Sequence, residues 1–232
     1  MFHGEKICCA ILAGGKAERL PDKPFILLNG KPLVSYALDS ADMRFDEILV
    51  IAKKEQEERL EQLVKGKKQM KVAIENSSDF SPWNGIRTAV RNTGADWILL
   101  LACDMPFINV KLFDLLISKI RPDIDCIIPR TDRLQPLCAL YRRTALEVCW
   151  MRTETFSGAA ENLKDFRAHR NPQEVSIFEG SVTRFAESLK NEVVQIPEEK
   201  VFWLFNINTK EDFEKAERIL QSGSNRHPPF CQ

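Results

Sequence analysis

Short, nearly continuous apolar runs alternate along this chain with stretches of helical period, and that alternation restricts the fold more than any other feature. Residues 6–13 (KICCAILA) form the first run, stopped by Gly14 and Gly15. Similar runs recur at 47–52 (EILVIA), 97–102 (WILLLA) and 124–128 (IDCII), with a weaker one at 71–74 (KVAI). Runs that are apolar at nearly every position suit strands buried on both faces of a parallel sheet. Between them lie helical stretches: 32–41, which Pro32 can start, then 54–65, 83–92 and 109–119, the last with Val110, Phe113, Leu116, Ile117 and Ile120 on one face. Strands alternating with helices of roughly ten to twelve residues read as repeated βαβ units. The expected fold is therefore α/β, a three-layer α/β/α sandwich around a mostly parallel sheet, with ligands at the carboxyl ends of the strands.

The rest of the chain is less regular. Residues 135–142 read as a further strand, 143–151 and 181–190 as helices, 192–196 as a strand and 209–221 as a charged helix, while 152–180 has no clean period. No linker or internal repeat divides the 232 residues, so 1–221 is expected to be a single domain and 222–232 (SGSNRHPPFCQ at the end) a disordered tail. Lys plus Arg number 33 and Asp plus Glu 33, which gives no basic excess for nucleic acid or a membrane surface; an anionic ligand must be met by local charge. No apolar run is long enough to cross a membrane, and the opening MFHGEK lacks the apolar core of a signal peptide, so a cytoplasmic location is expected. Seven cysteines without a CxxC pair argue against both a disulfide framework and a zinc knuckle, and those inside apolar runs read as small buried hydrophobes.

Four loops carry candidate chemistry. After the first strand, LAGGKAERLPDK (12–23) places paired glycines before Lys16, Arg19 and Lys23. Glycines can turn with positive φ and bring bare N–H groups against a phosphate, and the cations can offset its charge. The pattern is neither GxGxxG nor GxxxxGK[ST]; the alternative is a tight turn followed by a solvated charge run. In LLLACDMPF (99–107), Asp104 ends a buried strand and is placed either to hold Mg²⁺ against phosphate oxygens or to cap the helix near 109. The polar loop SSDFSPWNGI (77–86) can embrace a base or ribose, or only connect. In FNINTKEDFEKA (205–216), Thr209 with Asp212 resembles a capping box, which leaves Asn206 and Asn208 unexplained.

Taken in order, LAGG, Arg19, DKP with Lys23, NGKPL at 29–33, CDMPF, QPLCALYRR at 135–143 and NINTKED resemble the molybdenum cofactor guanylyltransferases, from about residue 6 to about 220. The opening LAGG…R…K is shared with the wider nucleotidyltransferase superfamily. The resemblance implies a Rossmann-like sheet of the nucleotide-diphospho-sugar transferase type and a Mg²⁺-dependent enzyme that joins GMP from GTP to the terminal phosphate of molybdopterin. It further implies that Leu12, Ala13, Gly14 and Gly15 lie against the nucleotide, that Arg19 and Lys23 neutralise its phosphates, and that Asp104 binds the metal. Asn76 and Gly85 take the places of base-facing positions, and Asn208 that of a second nucleotide- or metal-facing turn. By the same likeness Gln135, Arg142 and Arg143 are candidate contacts to the acceptor. No general base is required, because a phosphate monoester is already ionised near neutral pH.

Two stretches depart from the family pattern. Arg19-Leu20-Pro21-Asp22-Lys23 stands where the family has Arg-Met-Gly before Asp-Lys, and Pro21 removes an N–H donor. Asn76 and Ser81-Pro82-Trp83-Asn84-Gly85 stand where the family has an Asp and a Gly-Pro-Leu-Ala-Gly loop. An amide accepts at one atom only, whereas a carboxylate accepts two bonds from the guanine edge. Trp83 either stacks on a base or plugs the core beneath the loop. The alternatives are therefore CTP with molybdopterin, GTP with adenosylcobinamide phosphate or a sugar phosphate, and a non-catalytic nucleotide-binding regulator.

Overall fold

The structure, a computed structural model, describes residues 4–15, 20–77, 80–147 and 181–223. Strand β1 (Ile7–Leu12) lies inside a seven-stranded sheet with β4 (Ile48–Ala52) and β5 (Met70–Ile74) on one side. On the other side come β6 (Trp97–Ala102), β8 (Cys138–Arg142), β7 (Cys126–Arg130) and β9 (Asn191–Gln195), in that order. The β1–β4, β4–β5, β1–β6 and β7–β9 pairs are parallel; β8 alone runs against its neighbours β6 and β7. A small hairpin of β2 (Leu27–Leu28) and β3 (Lys31–Pro32) turns at Asn29 and Gly30, both at positive φ (50° and 76°), as two-residue hairpins of Asn-Gly require.

The continuous apolar runs are explained by two cores. On one face Cys9, Ile11, Val50, Leu99 and Leu101 pack beneath α1 (Leu33–Asp42), α2 (Glu57–Val64) and α4 (Val110–Ile117). On the other, Cys8, Ala10, Ile51, Ile98 and Leu100 pack beneath α3 (Pro82–Asn92) and α5 (Val182–Ser188). Successive strand residues thus feed opposite layers, and each fully buried Leu, Ile or Phe contributes roughly 1.5–3 kcal/mol. A third cluster of Leu28, Leu33, Phe107, Ile207 and Ala216 seats the hairpin and α6 (Lys210–Gly223) against the end of the sheet. Side-chain caps start α3, α4 and α5: Ser81 accepts from the Trp83 N–H, Asn109 from Leu112 and Ser181 from Arg184. Among the described residues no helix is long and apolar enough to cross a membrane.

The expected strands and helices are present within a few residues of their sequence bounds, with one correction in the described part: the last helix continues through Ser222 to Gly223 rather than ending before a tail at 222. Residues 224–232, the irregular segment 152–180 and the end of the helix expected at 143–151 lie outside the described residues.

Because β4 and β6 leave β1 in opposite directions across the sheet, a crevice forms beyond the carboxyl ends of β1 and β6. The strands remain bonded to that edge. Ala13 N–H donates to the Ile51 carbonyl at 2.8 Å, Glu75 N–H to Ala52 at 2.9 Å, and Cys103 N–H to Leu12 at 3.3 Å. Gly14, Glu75 and Asp104 are thereby carried to one rim.

Candidate active site

A cavity of about 330 Å³ opens on this rim. Gly14, Lys23, Glu75, Phe80, Gly85 and Asp104 line it, with Leu12, Ala13, Gly15 and Leu137 among their neighbours. Its polar groups are divided between two ends.

At one end the Lys23 ammonium donates to Asp104 Oδ2 at 2.5 Å and to Asn208 Oδ1 at 3.1 Å. The Lys23 and Asp104 side chains are each only 15% exposed, so water screens their attraction weakly. Lys23 opens a single 3₁₀ turn, Lys23–Phe25, whose Pro24 and Phe25 are buried. Asp22, before it, is in the left-handed conformation with φ 58°. Asn208 is brought in from the far end of the chain. Ile207 N–H donates to the Asp104 carbonyl at 3.0 Å, and Asp212 Oδ2 accepts from the N–H groups of Asn208 and Thr209, both at 2.9 Å. Asp212 N–H in turn donates to Thr209 Oγ1 at 3.2 Å, which closes the expected capping box with Asp in the usual Glu place. Asp104 does not cap α4, since Asn109 does.

Asp104 Oδ1 is buried here without a hydrogen-bond partner, as is Asn206 Oδ1, two residues before Asn208 in the chain. Orphaned acceptors of this kind need an explanation, and a hard divalent cation bound by one carboxylate together with substrate phosphates provides one. Among the described residues no three His, Cys, Asp or Glu side chains gather to form an all-protein metal cage. Cys103 beside Asp104 is not a nucleophile: burial, with the Asp104 charge adding and Lys23 opposing, pushes its thiol up to about 12. The five described cysteines are all buried and free, as their apolar context suggested.

At the other end Glu75 Oε2 pairs with Lys53 Nζ at 2.9 Å, both side chains being under 8% exposed. Lys53 also donates to the Ser77 carbonyl at 2.7 Å and lies 5.1 Å from the centroid of the half-exposed Phe80 ring. Glu75 Oε1 lies against Gly14 and Gly85, where a Cβ would approach it to 2.5 Å and 3.2 Å respectively. This corrects the sequence-based reason for the glycine: among the described residues the glycines at positive φ are Gly4, Gly30 and Gly66, not Gly14 or Gly15. Gly14 is required by the close approach of a carboxylate.

Of the residues singled out from sequence, the structure gathers Leu12, Ala13, Gly14, Gly15, Lys23, Gly85 and Asp104 at the cavity and joins Asn208 to them through Lys23. Asn76 is exposed and is not part of the lining; its neighbour Glu75 is. Arg19, like Lys16, lies outside the described residues. Trp83 packs edge-on against Phe185, with ring centroids 5.2 Å apart, so it plugs the core beneath the loop. Arg142 and Arg143 are corrected more strongly. Because β8 is antiparallel, Arg142 pairs with Trp97 at the start of β6, the opposite edge of the sheet. There its guanidinium stacks over Trp97 at 4.5 Å and meets Glu5 at 3.3 Å, while Arg143 donates to the Ala95 carbonyl. Neither can reach the cavity. Gln135 is buried in the β7–β8 connection, bonded to Thr131.

Comparison with known proteins points the same way. The model of the "MobA-like NTP transferase domain" matches residues 9–170. The chain is 34% identical over 148 residues to a protein of Methanocaldococcus jannaschii named "Probable molybdenum cofactor guanylyltransferase", a match covering 60% of this chain and 72% of that one. It is 26% identical over 231 residues to the "Molybdenum cofactor guanylyltransferase" of Desulfosudis oleivorans, covering 92% and 95%. Among solved structures, molybdopterin-guanine dinucleotide biosynthesis protein A from Archaeoglobus fulgidus superposes with a TM-score of 0.64 at 21% identity, over 93% of this chain and 99% of that one.

Proposed function

This chain belongs to the family of MobA-like NTP transferase domains, and we propose on that footing that it transfers GMP from GTP to the terminal phosphate of molybdopterin, releasing pyrophosphate. The nucleotide-diphospho-sugar transferase fold expected from the sequence is the one it has. The observation that carries the reading is the Lys23, Asp104 and Asn208 constellation facing the Gly14 turn across one cavity. It puts a cation and a carboxylate in the same cavity as backbone that a nucleotide can lie against.

In the reaction an oxygen of the acceptor phosphate forms a bond to the α-phosphorus of GTP, and the bond from that phosphorus to the bridging oxygen of the β-phosphate breaks. Pyrophosphate leaves with the electron pair. The attacking oxygen is already ionised, so no protein group has to take a proton. Lys23 supplies a positioned positive charge where the triphosphate gathers negative charge, a contribution whose loss typically costs ~10²–10³ in rate. Asp104, with Asn208 beside it, would hold Mg²⁺, which supplies charge neutralisation of the phosphates when bound. Glu75 presents Oε1 to the far end of the cavity, where it accepts from base N–H donors; the guanine edge has such donors at N1 and N2. The five described cysteines, buried and free, suit the cytoplasm as the place of action.

One observation favours CTP as a second reading. Lys53 holds Glu75 Oε2, which leaves a single carboxylate oxygen for the base, a match for the one amino group of cytosine. Pyrophosphate release measured with molybdopterin and each of GTP, CTP and ATP, beside Lys23→Ala, separates the two. Release with GTP alone, lost in the variant, supports the guanylyl reading. Release with CTP alone replaces it, and undiminished release from a folded Lys23→Ala protein refutes the role given to Lys23.

A further inference from the structure

Lys23 works only if the short turn that carries it is held; burial of Pro24 and Phe25 anchors the far side of that turn, but its backbone makes few bonds. The residue before it, Asp22, adopts φ 58°, a left-handed conformation that L residues adopt sparingly, Asn and Asp more readily than most. Residues immediately before it include Pro21, which contributes no N–H to a local bond. Inside the turn the backbone has one good bond, from Phe25 N–H to the Asp22 carbonyl at 2.9 Å, and one long one, from Ile26 to Lys23 at 3.4 Å.

A further restraint comes from α2. Arg59 Nη1 donates to both oxygens of the Asp22 carboxylate, at 2.9 and 2.8 Å, and the same guanidinium lies over the Phe25 ring with its carbon 3.5 Å from the centroid. One side chain therefore grips the residue before Lys23 and the residue two after it. Its helix is a firm base, because the next residue, Leu60, is fully buried in the core under the sheet. Lysine could not replace it, since stacking on a ring while bonding a carboxylate is a property of the planar guanidinium.

We propose that Arg59 is a positioning residue for Lys23: by clamping Asp22 and Phe25 it fixes the turn so that the ammonium arrives at Asp104 and Asn208. The inference rests on the reading of Lys23 as the phosphate-facing cation, but its geometric part can be tested without that reading. As an exposed ion pair, Arg59 and Asp22 contribute little to global stability, so the effect should be local.

The test compares the parent protein with Arg59→Ala, Arg59→Lys and Asp22→Gly, the last of which keeps the left-handed turn unstrained while removing the carboxylate. The first readout is the rate at which acetic anhydride modifies Lys23, followed by mass spectrometry, with Lys111 and Lys119 on and beside α4 as internal controls. Arg59→Ala should raise Lys23 modification about fivefold or more, Arg59→Lys should restore little of the protection, and Asp22→Gly should fall between, with the controls and the melting temperature nearly unchanged. The second readout is transfer itself, where kcat should fall about tenfold or more in Arg59→Ala with KM for the nucleotide shifting less. Unchanged Lys23 modification in Arg59→Ala, or full protection in Arg59→Lys, overturns the proposal. So does a rise shared by the control lysines, which would mark general loosening. A selective rise at Lys23 in a protein that shows no transferase activity at all upholds the clamp and refutes the proposed function instead.

Discussion

Replacing Gly14 by alanine is the sharpest test of how the cavity is built. The added Cβ would stand 2.5 Å from Glu75 Oε1 and 3.0 Å from Glu75 Cδ. Gly14 has no positive φ to strain, so alanine is harmless to the backbone itself. The carboxyl must therefore retreat by about 1 Å to reach ordinary contact, and its other oxygen is bound to the buried Lys53 ammonium at 2.9 Å. Losing one partner of a buried pair costs ~3–5 kcal/mol. Here both partners survive and can partly re-pair beside an open cavity, so about 2–3 kcal/mol is expected, or a fall of roughly 4–12 °C in melting temperature for a chain of this size. Thermal unfolding of Gly14→Ala, Glu75→Ala and the double variant completes a cycle. With Glu75 already removed, Gly14→Ala should cost almost nothing, which gives a coupling of about 2–3 kcal/mol. A Gly14→Ala protein as stable as its parent, or an equal penalty in both backgrounds, would show that the carboxylate is not what requires the glycine.

Asp212→Ala should remove the box that starts α6, lowering the melting temperature by about 2–4 °C and, by releasing the Asn208 and Thr209 N–H groups, raising KM for the nucleotide; an unaltered KM counts against Asn208. Cys103, although it lines the cavity, should resist iodoacetamide in the folded protein at pH 8, because a thiol pushed up to about 12 stays protonated there. Rapid labelling in mass spectrometry contradicts this. Arg142→Ala should destabilise the protein by about 1–3 kcal/mol, since it leaves Glu5 Oε1 and the Ile124 carbonyl without the Arg142 donor, yet leave acceptor KM unchanged. A large KM effect without loss of stability would restore Arg142 to the acceptor site.

The layers were legible in the sequence because both sheet faces are covered, so runs such as WILLLA had to be apolar throughout. The hairpin at Asn29-Gly30 carries a local signal in its Asn-Gly pair. Strand direction carries none: nothing in QPLCALYRR tells that β8 runs backwards, and that reversal removes Arg142 and Arg143 from the cavity. Asp104 could be found by its place at the end of a buried strand. Asn208 could be noticed but not understood, since its contact with Lys23 spans 185 residues. Lys53 and Glu75 were missed because a buried ion pair looks, residue by residue, like two ordinary surface charges at strand ends. The loop of Gly14 is legible in the sequence but its need for a bare Cα is not, since that comes from Glu75, distant in sequence.

The most direct measurement follows the α-phosphorus of the nucleotide. Purified protein is incubated with Mg²⁺, GTP labelled at the α-phosphate and either molybdopterin or adenosylcobinamide phosphate, beside Asp104→Asn, and the label is traced between nucleotide and acceptor. Transfer of label into a pterin–GMP conjugate, with one pyrophosphate released for each and loss in the variant, is the expected result. Label that stays in GTP although Mg·GTP raises the melting temperature would make this chain a nucleotide-binding regulator, and label that leaves with an acceptor other than molybdopterin would contradict the substrate assigned here.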